Sequence, residues 1–354
     1  MNYFLVQKSL TKQKRYRYMK STVIKGTGRY VPPGLVTNDD LSKLMDTNDK
    51  WIQERTGIKQ RYWVEDGKNI GSSDLGLEAS KIAMERAGWK PEDIDLIIFA
   101  TLSPDIFFPG SGCFLQHKLG LSSTPTLDIR QQCTGFIYGQ SIADAYIKSR
   151  MAEKVLVVGA EVHSTGLDKT TRGRDVAVIF GDGAAAVCYE GVETEKETGV
   201  ISSVLHTAGE FAESLMLELP ASRLTERGLL DDPDVARLYP SMQGTKIFKQ
   251  ALRKLPEVTK EIFEKTGLTM DDIDLVIPHQ ANLRINEAYQ QMMNIPDEKI
   301  YNNIQQYGNT TAATIPLALD EVIEKGLIDT KNSTILFVAL GAGLTWAASI
   351  YKFE

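Results

Sequence analysis

Short runs of Val, Ile and Leu recur along the chain between longer segments in which apolar and polar residues mix. Their near-continuous apolar character predicts strands that are covered on both faces of a sheet. Six runs have this character: Leu96–Thr101, Thr126–Ile129, Val155–Val158, Ala177–Ile179, Leu275–Pro278 and Ile335–Ala339. The patterns of Ser73–Ala87 and Ser141–Ser149 predict helices that cover these strands. The alternation of strands and helices predicts α/β units with largely parallel sheets.

Two segments in different parts of the chain carry the same succession of signals. They are E-R-A-G-W-K-P-E-D-I-D-L-I-I at residues 85–98 and E-K-T-G-L-T-M-D-D-I-D-L-V-I at residues 264–277. Each predicts a helix end, a glycine cap, a turn and then a buried strand. One such match alone would only indicate two ordinary strand–turn units.

Two further matches follow in the same order. C-T-G-F-I-Y-G-Q-S-I-A-D from Cys133 matches N-T-T-A-A-T-I-P-L-A-L-D from Asn309, and G-D-G-A-A-A-V from Gly181 matches G-A-G-L-T-W-A from Gly341. Three matches in one order predict a duplicated chain. The duplication places Cys133 and Asn309 at equivalent positions and so predicts that they lie near each other.

The predicted division is a disordered extension over residues 1–19, an N-terminal half over 20–195 and a C-terminal half over 196–354. The extension is basic but lacks the apolar core of a signal peptide, and a targeting or partner-binding arm is the alternative. K-S-T-V-I-K-G-T-G from Lys20 predicts a first strand and a glycine turn. The segment Thr207–Gln243 is rich in glycine, proline and acidic residues, which indicates a long excursion that could cap a substrate.

Composition excludes several classes of protein. The net charge of -6 argues against a nucleic-acid binder, which would normally be basic. No apolar run approaches the roughly 20 residues that a membrane span needs. The three cysteines, Cys113, Cys133 and Cys188, have no C-x-x-C spacing, so they fit neither a disulfide framework nor a zinc site. We therefore expect a cytoplasmic protein with no metal.

Three polar residues follow or precede apolar runs in ways that indicate chemistry. Cys133 stands just before an apolar stretch, and a helix that starts there would favour its thiolate. His279 directly follows a buried strand, and Asn309 opens the matching segment of the second half. Taken singly, a buried structural cysteine, a packed histidine and a plain N-cap asparagine are the alternatives. Ligands of such sheets bind beyond the carboxyl ends of the strands, where these residues are expected.

The chain resembles the β-ketoacyl-[acyl-carrier-protein] synthase III family of thiolase-fold condensing enzymes, from about Lys20 to Glu354. Besides the cysteine segment, the motifs that carry the resemblance are W-I-Q-E-R-T-G-I at Trp51, F-F-P-G at Phe107, F-G-D-G-A-A-A at Phe180, P-H-Q-A-N-L-R-I at Pro278, Y-G-N-T-T-A-A at Tyr307 and G-A-G-L-T-W at Gly341. The resemblance implies a thiolase-like α/β fold in which two duplicated halves form five layers, αβαβα.

The resemblance also implies an acyltransferase that initiates fatty acid biosynthesis. Cys133 would take an acyl group from acyl-CoA, with the backbone N–H groups of Cys133 and Gly343 as the oxyanion hole. A malonyl group on acyl carrier protein would then lose CO2, while His279 and Asn309 hydrogen-bond its thioester carbonyl. Decarboxylation itself makes the carbanion, so no cofactor is implied; acyl-CoA and malonyl-carrier are substrates.

Further residues acquire roles only through the resemblance. The implied CoA contacts are Thr47, Trp51, Arg55, Arg174, Gly244, Phe248 and Asn282. Trp51 would stack on adenine, and the arginines would meet phosphate or base edges. Phe108 would close the acyl pocket of a partner subunit, which implies a homodimer. The implied docking face for the carrier protein is Lys246, Lys249 and Arg253, which share one side of a helix. The plain alternatives are packing aromatics and solvated charges.

Some positions depart from the usual pattern of the family. They are Gln131, Gln132, Thr245, Ala342 and Leu344. They leave open the preferred acyl chain and a specialised condensing enzyme or acyltransferase that uses longer chains. A degradative thiolase would need a second cysteine near the last glycine turn, and that turn has none. A non-catalytic carrier-binding module is the alternative from another class, and it should not become acylated by acyl-CoA.

Overall fold

The structure is a computed structural model that describes residues 19–222 and 235–354. Residues 1–18, on which the expected disordered extension falls, lie outside the described residues. The same holds for residues 223–234 of the predicted excursion. Met19, the last residue assigned to the extension, already pairs with Thr194 in the first strand.

The described residues form strands and helices that alternate along most of the chain. The strands are β1 (Met19–Tyr30), β2 (Gly34–Thr37), β3 (Gln60–Trp63), β4 (Leu96–Ala100), β5 (Thr126–Ile129), β6 (Lys154–Glu161), β7 (Gly183–Thr194), β8 (Gly199–Thr207), β9 (Leu215–Met216), β10 (Ser241–Met242), β11 (Leu275–Pro278), β12 (Thr334–Gly341) and β13 (Thr345–Lys352). The helices are α1 (Asn38–Ser42), α2 (Asp49–Thr56), α3 (Ser72–Ala87), α4 (Ser111–Lys118), α5 (Gly135–Lys148), α6 (Arg174–Ala177), α7 (Gly244–Thr266), α8 (Leu283–Met293), α9 (Ile304–Tyr307) and α10 (Thr314–Glu324).

Two mixed sheets form the centre of the molecule. The first has the strand order β1-β7-β6-β4-β5 and the second β11-β12-β13-β8. β4 is parallel to β5 and β6, and β11 is parallel to β12, but every other pair in these sheets is antiparallel. The prediction of largely parallel sheets is therefore wrong. In the second sheet, a turn of three residues joins β12 to β13, and so short a connection forces antiparallel neighbours.

Three apolar clusters separate helices and sheets into five layers. α3 packs on the outer face of the first sheet, and α7 and α8 pack on the outer face of the second. α5 and α10 lie between the sheets in a shared core with side chains from both. A fourth cluster joins α1, α2 and the two-stranded sheet of β2 and β3 to the segment before β7. The resulting order is αβαβα, as the resemblance implied.

The repeated helix–glycine–strand unit has the predicted form in both halves. α3 and α7 each end at a left-handed glycine, Gly88 with φ 68° and Gly267 with φ 74°. A short 3-10 turn and the buried strands β4 and β11 follow in both cases. Five of the six predicted strand segments are strands in the structure, namely β4, β5, β6, β11 and β12. Their predicted and observed ends differ by at most three residues.

Two local predictions are wrong. The run Ala177–Ile179 is not a strand, because α6 ends at Ala177 and its apolar side chains fill the fourth cluster instead. Three apolar residues alone do not distinguish a strand from a helix end. The glycine turn that we expected to end the first strand is also not there. β1 instead continues to Tyr30, with a bulge between Ile24 and Gly26. The glycines serve helix packing: a Cβ on Gly28 would lie 2.4 Å from the carbonyl oxygen of Ala79 in α3.

Candidate active site

Cys133 lies in a 3-10 turn, Gln132–Thr134, that leads from the end of β5 into α5. Gln132 has φ 43°, a left-handed conformation that is uncommon for a residue other than glycine. This bend sets Cys133 at the start of the buried helix α5. Its side chain is only 6% exposed, and it faces the cavity described below.

The surroundings of the sulfur work against a thiolate in the unliganded site. Burial, together with the charge of Glu161, raises the pKa of Cys133 to about 12. The backbone N–H groups of Cys133 and Ala342 and the side chain of Asn309 act in the opposite direction and lower this pKa. Desolvation therefore opposes the expected effect of the helix start, and the thiolate-favouring role of that helix start stays a prediction.

The turn between β12 and β13 passes directly over Cys133. A Cβ on Gly341 would lie 2.9 Å from both the nitrogen and the Cβ of Cys133, so only glycine fits here. This close approach brings the Ala342 N–H to the sulfur. The amide of Ala342 is thus a further candidate for the oxyanion hole beside that of Gly343, whose role there stays a prediction.

His279 directly follows β11, and its backbone N–H donates to the carbonyl of Val338 at 2.8 Å. Its ring is 4% exposed, and burial lowers its pKa to about 3, so the imidazole is neutral at physiological pH. Nδ1 lies 2.7 Å from the hydroxyl oxygen of Thr314. Nε2 is buried and has no hydrogen-bond partner among the described residues.

Asn309 is held from both its backbone and its side chain. Its backbone N–H donates to the carbonyl of Ile179 at 2.9 Å, and its Oδ1 accepts from the N–H of Thr311 at 2.8 Å. Because Oδ1 is engaged in this way, the amide NH2 is left to donate toward Cys133. The orientation of the amide therefore follows from the turn that comes after Asn309.

The structure corrects the equivalence of Cys133 and Asn309. The 3-10 turn before α10 is Thr311–Ala313, and Thr311 has φ 49°, like Gln132 before Cys133. Ala312 is thus the counterpart of Cys133, and Asn309 lies three residues earlier. The alignment of polar helix starts missed this, because Asn309 belongs to a bridge with Phe180 and not to the helix start. Asn309 nevertheless lies close enough to Cys133 for its side chain to lower the pKa of the thiol.

One cavity of about 550 Å³ connects these three residues with the implied CoA contacts. Its lining includes Cys133, His279, Asn309, Trp51, Arg55, Gly244, Phe248 and Asn282. The described part of the excursion contributes Leu215 and Met242. The cavity thus runs from the α2 surface to the cysteine, between α7 and α8.

Two guanidinium groups lie against the indole of Trp51 at the cavity entrance. Arg55, one helical turn further along α2, lies 4.3 Å from the ring centroid, and Arg174 lies 4.8 Å from it. Arg174 also donates to the carbonyl of Asp46 at 2.6 Å. Five of the seven implied CoA contacts line the cavity, and the other two, Arg174 and Thr47, do not.

The residues implied in contacts with partners lie on the surface. Phe108 is 76% exposed, which excludes core packing within the chain, and it does not line the cavity. Lys246, Lys249 and Arg253 are exposed along α7, whose first residues line the cavity. The ammonium of Lys246 lies 5.2 Å from the ring centroid of Phe211.

Two buried titratable residues close to this site were not found from the sequence. Glu161 ends β6, and burial raises its pKa to about 7 although hydroxyl and N–H groups donate to it. The ring of His163 packs at a tilt against that of Phe180, with the centroids 4.7 Å apart, and burial lowers the pKa of His163 to about 3. Its Nε2 lies 2.7 Å from the hydroxyl oxygen of Thr311. An acidic residue at the end of an apolar strand was the only available signal.

The described residues include no helix that is both long and apolar enough to cross a membrane. Within the same ranges, no group of three or more His, Cys, Asp or Glu side chains is arranged to hold a metal ion. Two α/β halves in five layers, with a cysteine at the start of a helix between the sheets, define a thiolase-fold protein.

Comparison with known proteins identifies the family within this fold. The family model of 3-oxoacyl-[acyl-carrier-protein] synthase III matches residues 127–209, and that of its C-terminal part matches residues 263–353. The β-ketoacyl-[acyl-carrier-protein] synthase III of Caldanaerobacter subterraneus is 42% identical over 94% of this chain and 97% of that protein. The corresponding protein of Clostridium acetobutylicum is 41% identical over 95% and 99%.

Comparison with solved structures identifies the same family. The synthase III of Aquifex aeolicus is 40% identical and superposes with a TM-score of 0.84 over 94% of this chain and all of that chain. The priming β-ketosynthase of the R1128 polyketide pathway is 28% identical, with a TM-score of 0.86 over 97% and 99%. The chain belongs to the β-ketoacyl-[acyl-carrier-protein] synthase III family of acyl-transferring condensing enzymes.

Proposed function

We propose that the chain condenses an acyl-CoA primer with malonyl-[acyl-carrier-protein] to give a 3-oxoacyl-[acyl-carrier-protein], as the first condensation of fatty acid synthesis. The observation that carries the proposal is the single cavity that joins the Trp51 surface to Cys133, His279 and Asn309. A thioester with a long pantetheine arm can enter at one end of such a cavity and react at the other.

In the first step, the sulfur of Cys133 attacks the thioester carbonyl of the acyl-CoA. The amides of Cys133 and Ala342, which contact the sulfur in the free protein, would donate to the developing oxyanion. The bond to the CoA sulfur breaks, the acyl group stays on Cys133, and CoA leaves as its thiol with the proton of the cysteine. Trp51, Arg55 and Arg174 would hold the nucleotide end.

In the second step, malonyl-carrier enters and loses CO2. The electrons of the broken C–C bond form an enolate, whose oxygen His279 Nε2 and the Asn309 NH2 would stabilise by hydrogen bonds. The enolate carbon attacks the acyl carbonyl, the C–S bond to Cys133 breaks, and the cysteine thiolate takes up a proton from water. These steps use no metal and no redox cofactor.

The proposal extends to two protein partners. Exposed Phe108, beside exposed Ile106 and Phe107, would pack against a second copy of the chain in a homodimer. Lys246, Lys249 and Arg253 would meet the acidic carrier protein next to the cavity entrance. A specialised condensing enzyme with longer primers is the second candidate, which the likeness to a priming ketosynthase of a polyketide pathway favours.

The test is the intact mass of the protein after incubation with acyl-CoAs from acetyl to long-chain. Wild type should gain one acyl group, Cys133→Ala should gain none, and His279→Ala and Asn309→Ala should become acylated without decarboxylating malonyl-carrier. Short-chain adducts support fatty acid initiation, and adducts with medium or long chains alone support the specialised enzyme. Acylation of Cys133→Ala, or condensation by it, would overturn the assignment of the nucleophile.

A further inference from the structure

The proposed function makes a specific demand on the imidazole of His279. To stabilise the enolate, Nε2 has to carry a proton and donate it in a hydrogen bond. A neutral imidazole has one N–H, and burial keeps this ring neutral. Nδ1 is then an acceptor inside the protein, and it needs a donor of its own.

Thr314 supplies the only hydroxyl that the described residues place on Nδ1. Its oxygen lies 2.7 Å from Nδ1 and 2.9 Å from the carbonyl oxygen of Thr311. The hydroxyl has one hydrogen, so it donates either to Nδ1 or to that carbonyl. Thr314 is 2% exposed, and its first-turn position in α10 holds the oxygen in place.

The carbonyl of Thr311 does not depend on this hydroxyl. It also accepts the backbone N–H of Thr314, which closes the 3-10 turn before α10. The hydroxyl can therefore turn toward Nδ1 without leaving a buried carbonyl unsatisfied. In that arrangement Nδ1 accepts, and the proton of the ring is on Nε2.

The opposite arrangement would block the reaction. If Nδ1 donated to Thr314, Nε2 would present a lone pair to the thioester oxygen, and two acceptors repel each other. Nε2 has no partner among the described residues in either arrangement, so only a proton on Nε2 leaves a free donor for the thioester oxygen.

We propose that Thr314 is a positioning residue whose hydroxyl donates to Nδ1 and so holds His279 as the Nε2–H tautomer. The inference rests on the proposed role of His279 in condensation. It also explains why one turn serves both donors of the site. The N–H of Thr311 orients Asn309, the hydroxyl of Thr314 orients His279, and His163 contacts the hydroxyl of Thr311.

Three variants separate this role from packing. Thr314→Val keeps the shape of the side chain and removes the hydroxyl, whereas Thr314→Ser keeps the hydroxyl. Thr310→Val is the matched control, because Thr310 is also buried but its hydroxyl has no partner among the described residues. Thr314→Val should acylate Cys133 at a rate within twofold of wild type and condense about 100-fold more slowly. Thr314→Ser should condense within about fivefold of the wild-type rate. The control Thr310→Val should condense at the wild-type rate.

Nitrogen-15 NMR of the wild type, labelled at its histidines, reads the tautomer of His279 directly and does not depend on a measurement of the reaction rate. The resonances of His279 are identified by their absence in His279→Ala. Nε2 should be protonated and Nδ1 an unprotonated, hydrogen-bonded nitrogen, whose resonance moves downfield in Thr314→Val. A protonated Nδ1 in wild type, or condensation by Thr314→Val at the wild-type rate, would overturn the inference.

The same experiments keep the two proposals apart. If His279→Ala condenses normally, the proposed function of the histidine fails, and the role of Thr314 fails with it. If His279→Ala is inactive and Thr314→Val is fully active, only the inference about Thr314 is wrong.

Discussion

Glu161 should make the stability of the folded protein fall as the pH rises from 4.5 to 7. Its carboxylate is fully buried beside the catalytic turn, where the hydroxyls of Thr101 and Ser103 and the N–H groups of Leu102, Ser103 and Ala312 donate to it. Burial still dominates and raises its pKa from 4.5 to about 7. The test changes the pH and compares how the stability of wild type and of Glu161→Gln responds.

The sign follows from proton binding. Between pH 4.5 and pH 7 the folded protein keeps a proton on Glu161 that the unfolded chain has released, so stability decreases as the pH rises. At 1.36 kcal/mol per pKa unit, the rise to about 7 corresponds to a loss of roughly 3 kcal/mol across this window. The loss is complete above the folded pKa.

The assay is urea unfolding of both proteins from pH 4.5 to pH 8. Glu161→Gln should be less stable at acidic pH, because its NH2 faces groups that themselves donate, and the gap should shrink as the pH rises. The pKa values of Asp128 and Asp182 are also raised by burial, but both carboxylates are common to the two proteins and cancel in the difference. A gap that stays constant with pH would refute the reasoning. Glu210→Gln, at an exposed position, is the control.

Three further changes test other parts of the site. Gly341→Ala should slow acylation about 100-fold, measured as the rate of adduct formation, because its Cβ would push the Ala342 amide away from Cys133. Trp51→Ala should raise the KM for acyl-CoA about tenfold while leaving turnover of a short thioester without the nucleotide unchanged; equal losses on both substrates would contradict a nucleotide contact. Lys249→Glu should raise the KM for malonyl-carrier, with a smaller effect at high salt, whereas Lys331→Glu, exposed elsewhere, should not.

Local signals in the sequence determined much of the fold. The glycine caps at Gly88 and Gly267 and the buried strands after them are set by neighbouring residues, because a helix must end where a left-handed residue follows and an apolar run must be covered. The repetition of this unit predicted two similar halves. Pairing direction was not local: β7 and β13 run antiparallel to their neighbours, and no apolar pattern encodes that.

The sequence also determined the chemical identities in the site, since Cys133, His279 and Asn309 each stand at a junction of apolar and polar residues. The sequence comparison wrongly made Asn309 the counterpart of Cys133, because the equivalence of two positions in the duplicated halves depends on backbone conformation. The positive φ of Gln132 and Thr311 marks the matching turns, and both are visible only in three dimensions.

The tertiary structure alone decided how these groups behave. Cys133 is buried by the turn at Gly341, which is distant in the chain, and desolvation raises its thiol pKa although a helix begins there. Glu161, His279 and Thr314 owe their states to partners that are distant in sequence and adjacent in space. Burial and hydrogen bonding depend on all the segments that meet at a point, and a sequence shows those segments only one at a time.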